Sequence, residues 1–190
     1  MKELQAIVGV SNRHVHLSAA DRDILFGKNA PLEFRKPLRQ PGQYAAEQVV
    51  TLAGPKGRID RVRVLCPLRT QSQVELSRTD TFTLGIEPCF RQSGDLSGSP
   101  GICIIGPKGC VQLSEGAIVA LRHLHLDPLT AEEYGLNDQQ MVSARTDGAR
   151  AVIFEKILVR VSELFVPEFH VDTDEANGAD LVTGDQVHIF

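Results

Sequence analysis

The chain has 190 residues, a formal net charge of −4, and 42% hydrophobic against 23% charged residues. That length suits one large or two small domains, and the balance is that of an ordinary globular protein. Scattered Lys and Arg, with no Trp and only 5% aromatics, argue against a nucleic-acid-binding face, and no apolar run approaches the roughly 18 residues of a membrane helix.

The first element is MKELQAIVGV. Its apolar run is short and lacks an A-x-A-like cleavage site, so it reads as a strand and not as a secretion signal. Next comes Arg13-His14-Val15-His16-Leu17. Ser18 then reads as a helix N-cap, with Asp21 in the first turn and Gly27 at the end. Residues 27–47, spaced by Pro and Gly, read as an irregular insertion. QVVTLAG, RVRVL, SQVELS, TFTLGI and GICIIG read as strands, with Val62 and Val64 alternating against Arg61 and Arg63. A second His-x-His word, Arg122-His123-Leu124-His125-Leu126, precedes Thr130-Ala131-Glu132-Glu133, which reads as a capping box for a helix closing near Gly135. MVSART, AVIFEKILVRV and DQVHIF complete the strands, and Thr173–Gly178 predicts a very short helical turn. Many short strands between turns predict a mainly β protein of barrels or sandwiches.

Two repeats run through this pattern. RHVHLSAAD and RHLHLDPLTAEE each place a histidine pair just ahead of a helix cap, and FHVDTDEA repeats the arrangement with Asp172 in the last histidine's place. AGPKGRI and IGPKGCV repeat a Gly-Pro-Lys-Gly turn. Two similar strand-rich modules are the simplest organisation. The cysteines Cys66, Cys89, Cys103 and Cys110 form no CxxC pair and read as reduced thiols, mostly small buried hydrophobes.

The protein has six histidines, and four of them sit in the two His-x-His pairs. In a strand, residues i and i+2 share a face about 6.6 Å apart, so two imidazoles can lean onto one ion, whereas on a helix they diverge. The bland alternative is a merely polar strand face, and two matched copies with His170 in the same context weigh against it. A metal also needs anionic ligands or water, and Glu75, between apolar Val74 and Leu76, is a candidate. His188 matches nothing in the pattern and reads as an ordinary strand histidine.

SNRHVHLS, QPGQYAAEQV, GPKGRIDRVRVL, PLRTQSQVELSRTD, LGIEPCFRQSGD, GAIVALRHLHLDP and FHVDTDEAN, in that order, resemble the PduL-type phosphotransacylases, or phosphate propanoyltransferases, over residues 6–188. The resemblance implies two small β-barrels capped by short helices, with the active site between them. Residues 1–12 with 121–190 would form one barrel, and 13–120, with the insertion at about 27–47, the other. It implies two zinc ions per chain, one held by His14, His16 and Glu75, the other by His123, His125 and His170. Three protein ligands leave a coordination position open, as a catalytic zinc requires. Arg69 matches the family's phosphate-binding arginine, and Ser93 and Arg160 match further substrate-binding positions. Arg69 and Glu75 are the expected catalytic residues.

The implied reaction is the reversible exchange of coenzyme A for inorganic phosphate on a short acyl group, acetyl or propanoyl. Zinc can polarise a thioester carbonyl and accept the departing thiolate, and an arginine fork can present phosphate for direct attack, with no covalent enzyme intermediate. The zinc beside Glu75 would hold the sulfur. Two departures from the family pattern, Cys66 before Pro67 and Gly178, touch no proposed ligand and read as packing changes. Partners are then acyl-CoA or CoA and phosphate or acyl phosphate, with no nucleic acid and no membrane; homo-oligomerisation stays open. Microcompartment relatives carry an extra N-terminal targeting segment. A chain starting at its first strand is expected in the cytoplasm, or in a bacterial microcompartment lumen if that segment has been removed. The competing readings are a zinc-dependent acyl-CoA or acyl phosphate hydrolase and a non-enzymatic double-barrel scaffold.

Overall fold

The computed structural model describes residues 4–190. In chain order these form β1 (Leu4–Ser11), β2 (His14–Ser18), α1 (Ala19–Phe26), β3 (Phe34–Pro37), β4 (Tyr44–Ala53), β5 (Arg58–Arg69), β6 (Gln73–Glu75), α2 (Arg78–Leu84), β7 (Phe90–Arg91), β8 (Ile102–Ile105), β9 (Cys110–Leu113), β10 (Ala117–Ala120), β11 (His123–Leu126), α3 (Pro128–Tyr134), β12 (Met141–Arg145), β13 (Ile153–Val161), β14 (Glu168–Asp172), α4 (Thr173–Ala179) and β15 (Gln186–Ile189). The architecture is mainly β with short helices, as the strand pattern predicts. None of the described helices is long and apolar enough to cross a membrane.

The chain divides into two compact units, the described residues up to Ser11 with Leu121–Phe190, and Asn12–Ala120. The first unit is a closed barrel in the order β1-β14-β11-β13-β12-β15. Its core gathers the inward residues of every strand, Val8, Leu124, Val142, Val159, Phe169 and Val187 among them. Closure depends on β1, which pairs parallel with β14 and antiparallel with β15. The second unit is a nine-stranded sheet that curls into a half-barrel, running β7-β10-β6-β2-β5-β4-β8-β9 with β3 paired to β4. Its terminal strand β7 is two residues long, so it offers little ladder for closing a ring. Val15, Leu17, Val62, Val64, Val74 and Ile104 lie in its core. Val62 and Val64 are buried while Arg61 is exposed and Arg63 half-buried, the alternation visible in the sequence.

The two Gly-Pro-Lys-Gly turns do the same job twice. Gly54 N–H donates to the Gly57 carbonyl and Gly106 N–H to the Gly109 carbonyl, each at 2.9 Å. Lys56 N–H then donates to the Leu84 carbonyl at the end of α2, and Lys108 N–H to the Leu25 carbonyl near the end of α1, each at 3.0 Å. A Cβ at Gly54 or Gly106 would collide with those same carbonyl oxygens, so glycine is required by the close approach of hairpin to helix. The repeat thus docks one helix end onto each hairpin.

Several sequence expectations are corrected. TFTLGI is not a strand. Ser77 and Asp80 form a reciprocal capping box that starts α2, and Gly85 ends it in the left-handed conformation, so the caps override the strand preference of Thr79, Thr81, Thr83 and Phe82. The helix after the second histidine pair is capped by Asp127 instead of Thr130: Asp127 accepts from Thr130 N–H at 2.9 Å, and Pro128 supplies the preset first helical residue. Residues 27–47 are not wholly irregular, since β3 pairs with β4 there. Of the cysteines, Cys66 is buried, Cys89 and Cys103 are half-buried and Cys110 is exposed, so burial describes one of four. Burial pushes the Cys66 thiol up, which leaves it protonated and unreactive.

Candidate metal and active site

Each histidine pair lies on a strand that runs straight into a helix cap. Ser18 and Asp127 cap α1 and α3 in extended conformations, so β2 and β11 stay pleated to the cap. His14, His16 and Ser18 therefore share one face, as do His123, His125 and Asp127. Leu17 and Leu126 point the other way and are fully buried. The same construction occurs twice more: Glu75-Leu76-Ser77 leads into α2, and His170-Val171-Asp172 into α4. All four helices among the described residues thus have their N-cap two residues after a candidate ligand. The unit at Glu75 carries no clear sequence signal, because the Thr- and Phe-rich α2 that follows it has a strand-like composition.

The four units pair off, one couple in each half of the chain. β2 runs antiparallel to β6 with His14 opposite Glu75 and His16 opposite Gln73. β11 runs antiparallel to β14 with His123 opposite His170 and His125 opposite Glu168. His14, His16 and Glu75 bring ligand atoms within 4.8 Å of one another, and so do His123, His125 and His170. Two donors on one zinc stand at most about 4.2 Å apart, given bonds of about 2.0–2.1 Å, so small side-chain adjustments suffice.

The surroundings prepare these donors. His14 Nδ1–H donates to the Asn12 carbonyl at 2.8 Å, and His123 Nδ1–H to the Leu121 carbonyl at 2.8 Å. Each bond fixes the tautomer and leaves the Nε2 lone pair for the cluster. Burial, then the charges of His14 and Arg69, push the His16 pKa well below its ordinary value, so its ring is neutral at neutral pH. Its Nδ1 is buried with no hydrogen-bond partner among the described residues. For Glu75, burial favours the neutral acid, but His14, His16 and Arg69 outweigh it and hold the carboxyl well below the usual range. Burial likewise opposes a charge on His14, yet Glu75 and the Asn12 carbonyl raise its pKa. A buried anion among imidazoles, one with an orphaned nitrogen, fits a borderline divalent cation such as zinc.

Arg69 reaches the first cluster through a register shift. Between His16 and Ser18 the pairing of β2 with β5 slips, bringing Arg69 opposite Ser18. Its Nη2 donates to His16 Nε2 at 2.8 Å and its Nη1 to Ser93 Oγ at 3.2 Å. Ser93 Oγ–H donates in turn to Glu75 Oε1 at 2.9 Å. Gln73, which sequence reasoning passed over, is buried and completes the network: its Nε2 donates to Glu75 Oε1 at 2.5 Å and its Oε1 accepts from Gly94 N–H at 2.9 Å. Arg160 lies opposite His125 in register and stacks its guanidinium 5.6 Å from the Phe165 ring centre, and Phe165 stacks on His125 at 4.2 Å. Phe165, another residue without a sequence signal, thereby links Arg160 to the second cluster. His188 stands apart on β15, 3.2 Å from Asp147.

A mainly β scaffold carrying two His-rich clusters that could each hold a metal ion, one with an arginine against it, defines the class. A family profile described as phosphate propanoyltransferase matches residues 7–182. The chain is 56% identical to a phosphate propanoyltransferase of Thermotoga maritima, covering 99% of this chain and 90% of that protein. It is 50% identical to one of Rhodopseudomonas palustris, over 97% of this chain and 82% of that protein, and 49% identical to one of Salmonella typhimurium, over 100% and 89%. The chain belongs to the phosphate propanoyltransferase family and is an enzyme of the phosphotransacylase type.

Proposed function

We propose that this enzyme exchanges coenzyme A and inorganic phosphate on propanoyl and acetyl groups, in both directions, with two zinc ions. The observation that carries the reading is Arg69 set between His16 Nε2 and Ser93 Oγ, an anion-binding fork against a cation-binding cluster. His14, His16 and Glu75 would hold one ion and His123, His125 and His170 the other. When bound, such an ion polarises a thioester carbonyl and accepts a departing thiolate. Arg69 binds phosphate through its two donor nitrogens and orients one oxygen toward the acyl carbon. Ser93 Oγ bridges the two groups, accepting from Arg69 Nη1 and donating to Glu75 Oε1. Gln73 and Ser93 hold Glu75 by two hydrogen bonds to one oxygen. Arg160 places a second positive charge beside His125 for the substrate's anionic groups.

Release of free CoA from propanoyl-CoA and from acetyl-CoA, measured with and without phosphate on metal-analysed protein, tests this. The expected result is phosphate-dependent release with stoichiometric acyl phosphate. Release that ignores phosphate would instead favour a hydrolase.

A further inference from the structure

The two clusters are built on one backbone plan but differ in where the carboxylate sits. In each strand two positions face the cluster, four and two residues before the helix cap. These are His14 and His16 on β2, Gln73 and Glu75 on β6, His123 and His125 on β11, and Glu168 and His170 on β14. Register makes Glu168 the counterpart of Gln73, since each stands opposite the second histidine of its pair. Each also contacts its neighbour two residues on: Gln73 Nε2 meets Glu75 Oε1 at 2.5 Å, and His170 Nε2 meets Glu168 Oε2 at 2.9 Å.

Glu168 is not a surface acid. It is 4% exposed, and the chain makes room for it. Gly9 on β1 lies opposite His170, and a Cβ there would stand 2.6 Å from Glu168 Oε1 and 2.9 Å from His170 Cδ2. Gly9 has no positive φ that would demand glycine, so the demand is for the volume taken by these two side chains. Charge points the same way. Three neutral imidazoles leave a dication uncompensated in a largely buried site, at high desolvation cost, whereas the first cluster has Glu75.

Resting on the two-zinc reading above, we propose that Glu168 is the fourth member of the second cation site and supplies its negative charge. The two clusters then hold one carboxylate each, with the acid and its partner exchanged along the strand: Gln-x-Glu on β6, Glu-x-His on β14.

The test is zinc stoichiometry by elemental analysis, with zinc affinity by titration against a competing chelator, on wild type, Glu168→Gln and the double variant Glu168→Gln/His170→Glu. Glu168→Gln keeps the shape and hydrogen bonding but removes the charge. It should weaken one of two zinc sites by roughly ten- to hundredfold, the range for a lost partner of a metal ligand. The double variant rebuilds the first cluster's arrangement of two histidines, Glu and Gln, and should recover the second zinc. Melting curves with and without zinc identify any variant that has lost its fold, and the double variant then decides. Two ions in wild type with unchanged affinities in Glu168→Gln overturn this inference alone, as does a folded double variant that binds one. Fewer than two ions in wild type overturn the two-zinc reading and this inference with it.

Discussion

A single methyl group at Gly9 should distinguish the two clusters. Gly9 sits on β1 opposite His170, its φ is not in the left-handed region, and alanine is therefore acceptable to the backbone. The added Cβ would lie 2.6 Å from Glu168 Oε1 and 2.9 Å from His170 Cδ2. Relaxing those contacts to an ordinary carbon–oxygen separation of about 3.3 Å moves the carboxylate by roughly 0.7 Å, several times the tolerance of about 0.2 Å on metal–ligand distances. Overpacking of this kind costs about 1–3 kcal/mol of stability. Gly9→Ala should thus lower the denaturation midpoint modestly and weaken one zinc site by at least about tenfold. Zinc titration against a competing chelator reads both sites at once. The cluster of His14, His16 and Glu75 belongs to the other unit and should titrate as in wild type. If both sites of Gly9→Ala bind as in wild type, the notch does not constrain Glu168 and His170 and the reasoning fails.

Arg69→Ala should raise the phosphate KM by roughly ten- to hundredfold, from about 1.5–3 kcal/mol for hydrogen bonds to a charged group, while metal analysis finds zinc content unchanged; a normal phosphate KM would remove Arg69 from phosphate binding. Ser77→Ala breaks the capping box of α2 and should cost about 1 kcal/mol in urea denaturation. Leu124→Ala empties a fully buried position between His123 and His125 and should cost about 2–5 kcal/mol by the same measurement. Zinc at a hundredfold its dissociation constant should stabilise the protein by about 2.7 kcal/mol per site, seen as a raised melting temperature that a strong chelator reverses.

Much of this fold was legible because its signals are local. Strand alternation in RVRVL, Ser18 ahead of α1 and the two Gly-Pro-Lys-Gly turns each depend on neighbours within a few residues. The His-x-His spacing says strand for the same reason, since only a period of two puts both rings on one face. What stayed hidden depends on distant pairing or on competing local preferences. α2 looked like a strand because Thr and Phe favour sheets, and only the hydrogen bonds between Ser77 and Asp80 reveal the helix. Gln73 and Glu168 gave no sign, because a buried Gln or Glu is recognisable only once its opposite strand is known. Gly9 likewise reads as a weak point in a strand until β14 is laid beside it.

The four strand-to-helix units explain why candidate metal ligands and helix caps keep company along this chain. An extended cap residue continues the pleat, so a residue two positions earlier projects to the same side as the cap, and the one between projects into the core. Leu17, Leu76, Leu126 and Val171 fill that middle position, and all four are buried. Each ligand is thus fixed from both sides, by a core side chain before the cap and by the cap's hydrogen bond to the helix. Backbone geometry decides where donors stand, and it is the same in both clusters. Side-chain chemistry at those positions remains free to differ, and it does so where function would need it. The first cluster carries its carboxylate opposite His14, tied through Ser93 to Arg69; the second carries three imidazoles with an acid behind them and Arg160 stacked through Phe165. Duplicating a rigid placement while varying its donors gives two candidate metal sites of unlike character, one with a carboxylate among its three donors and one with three imidazoles.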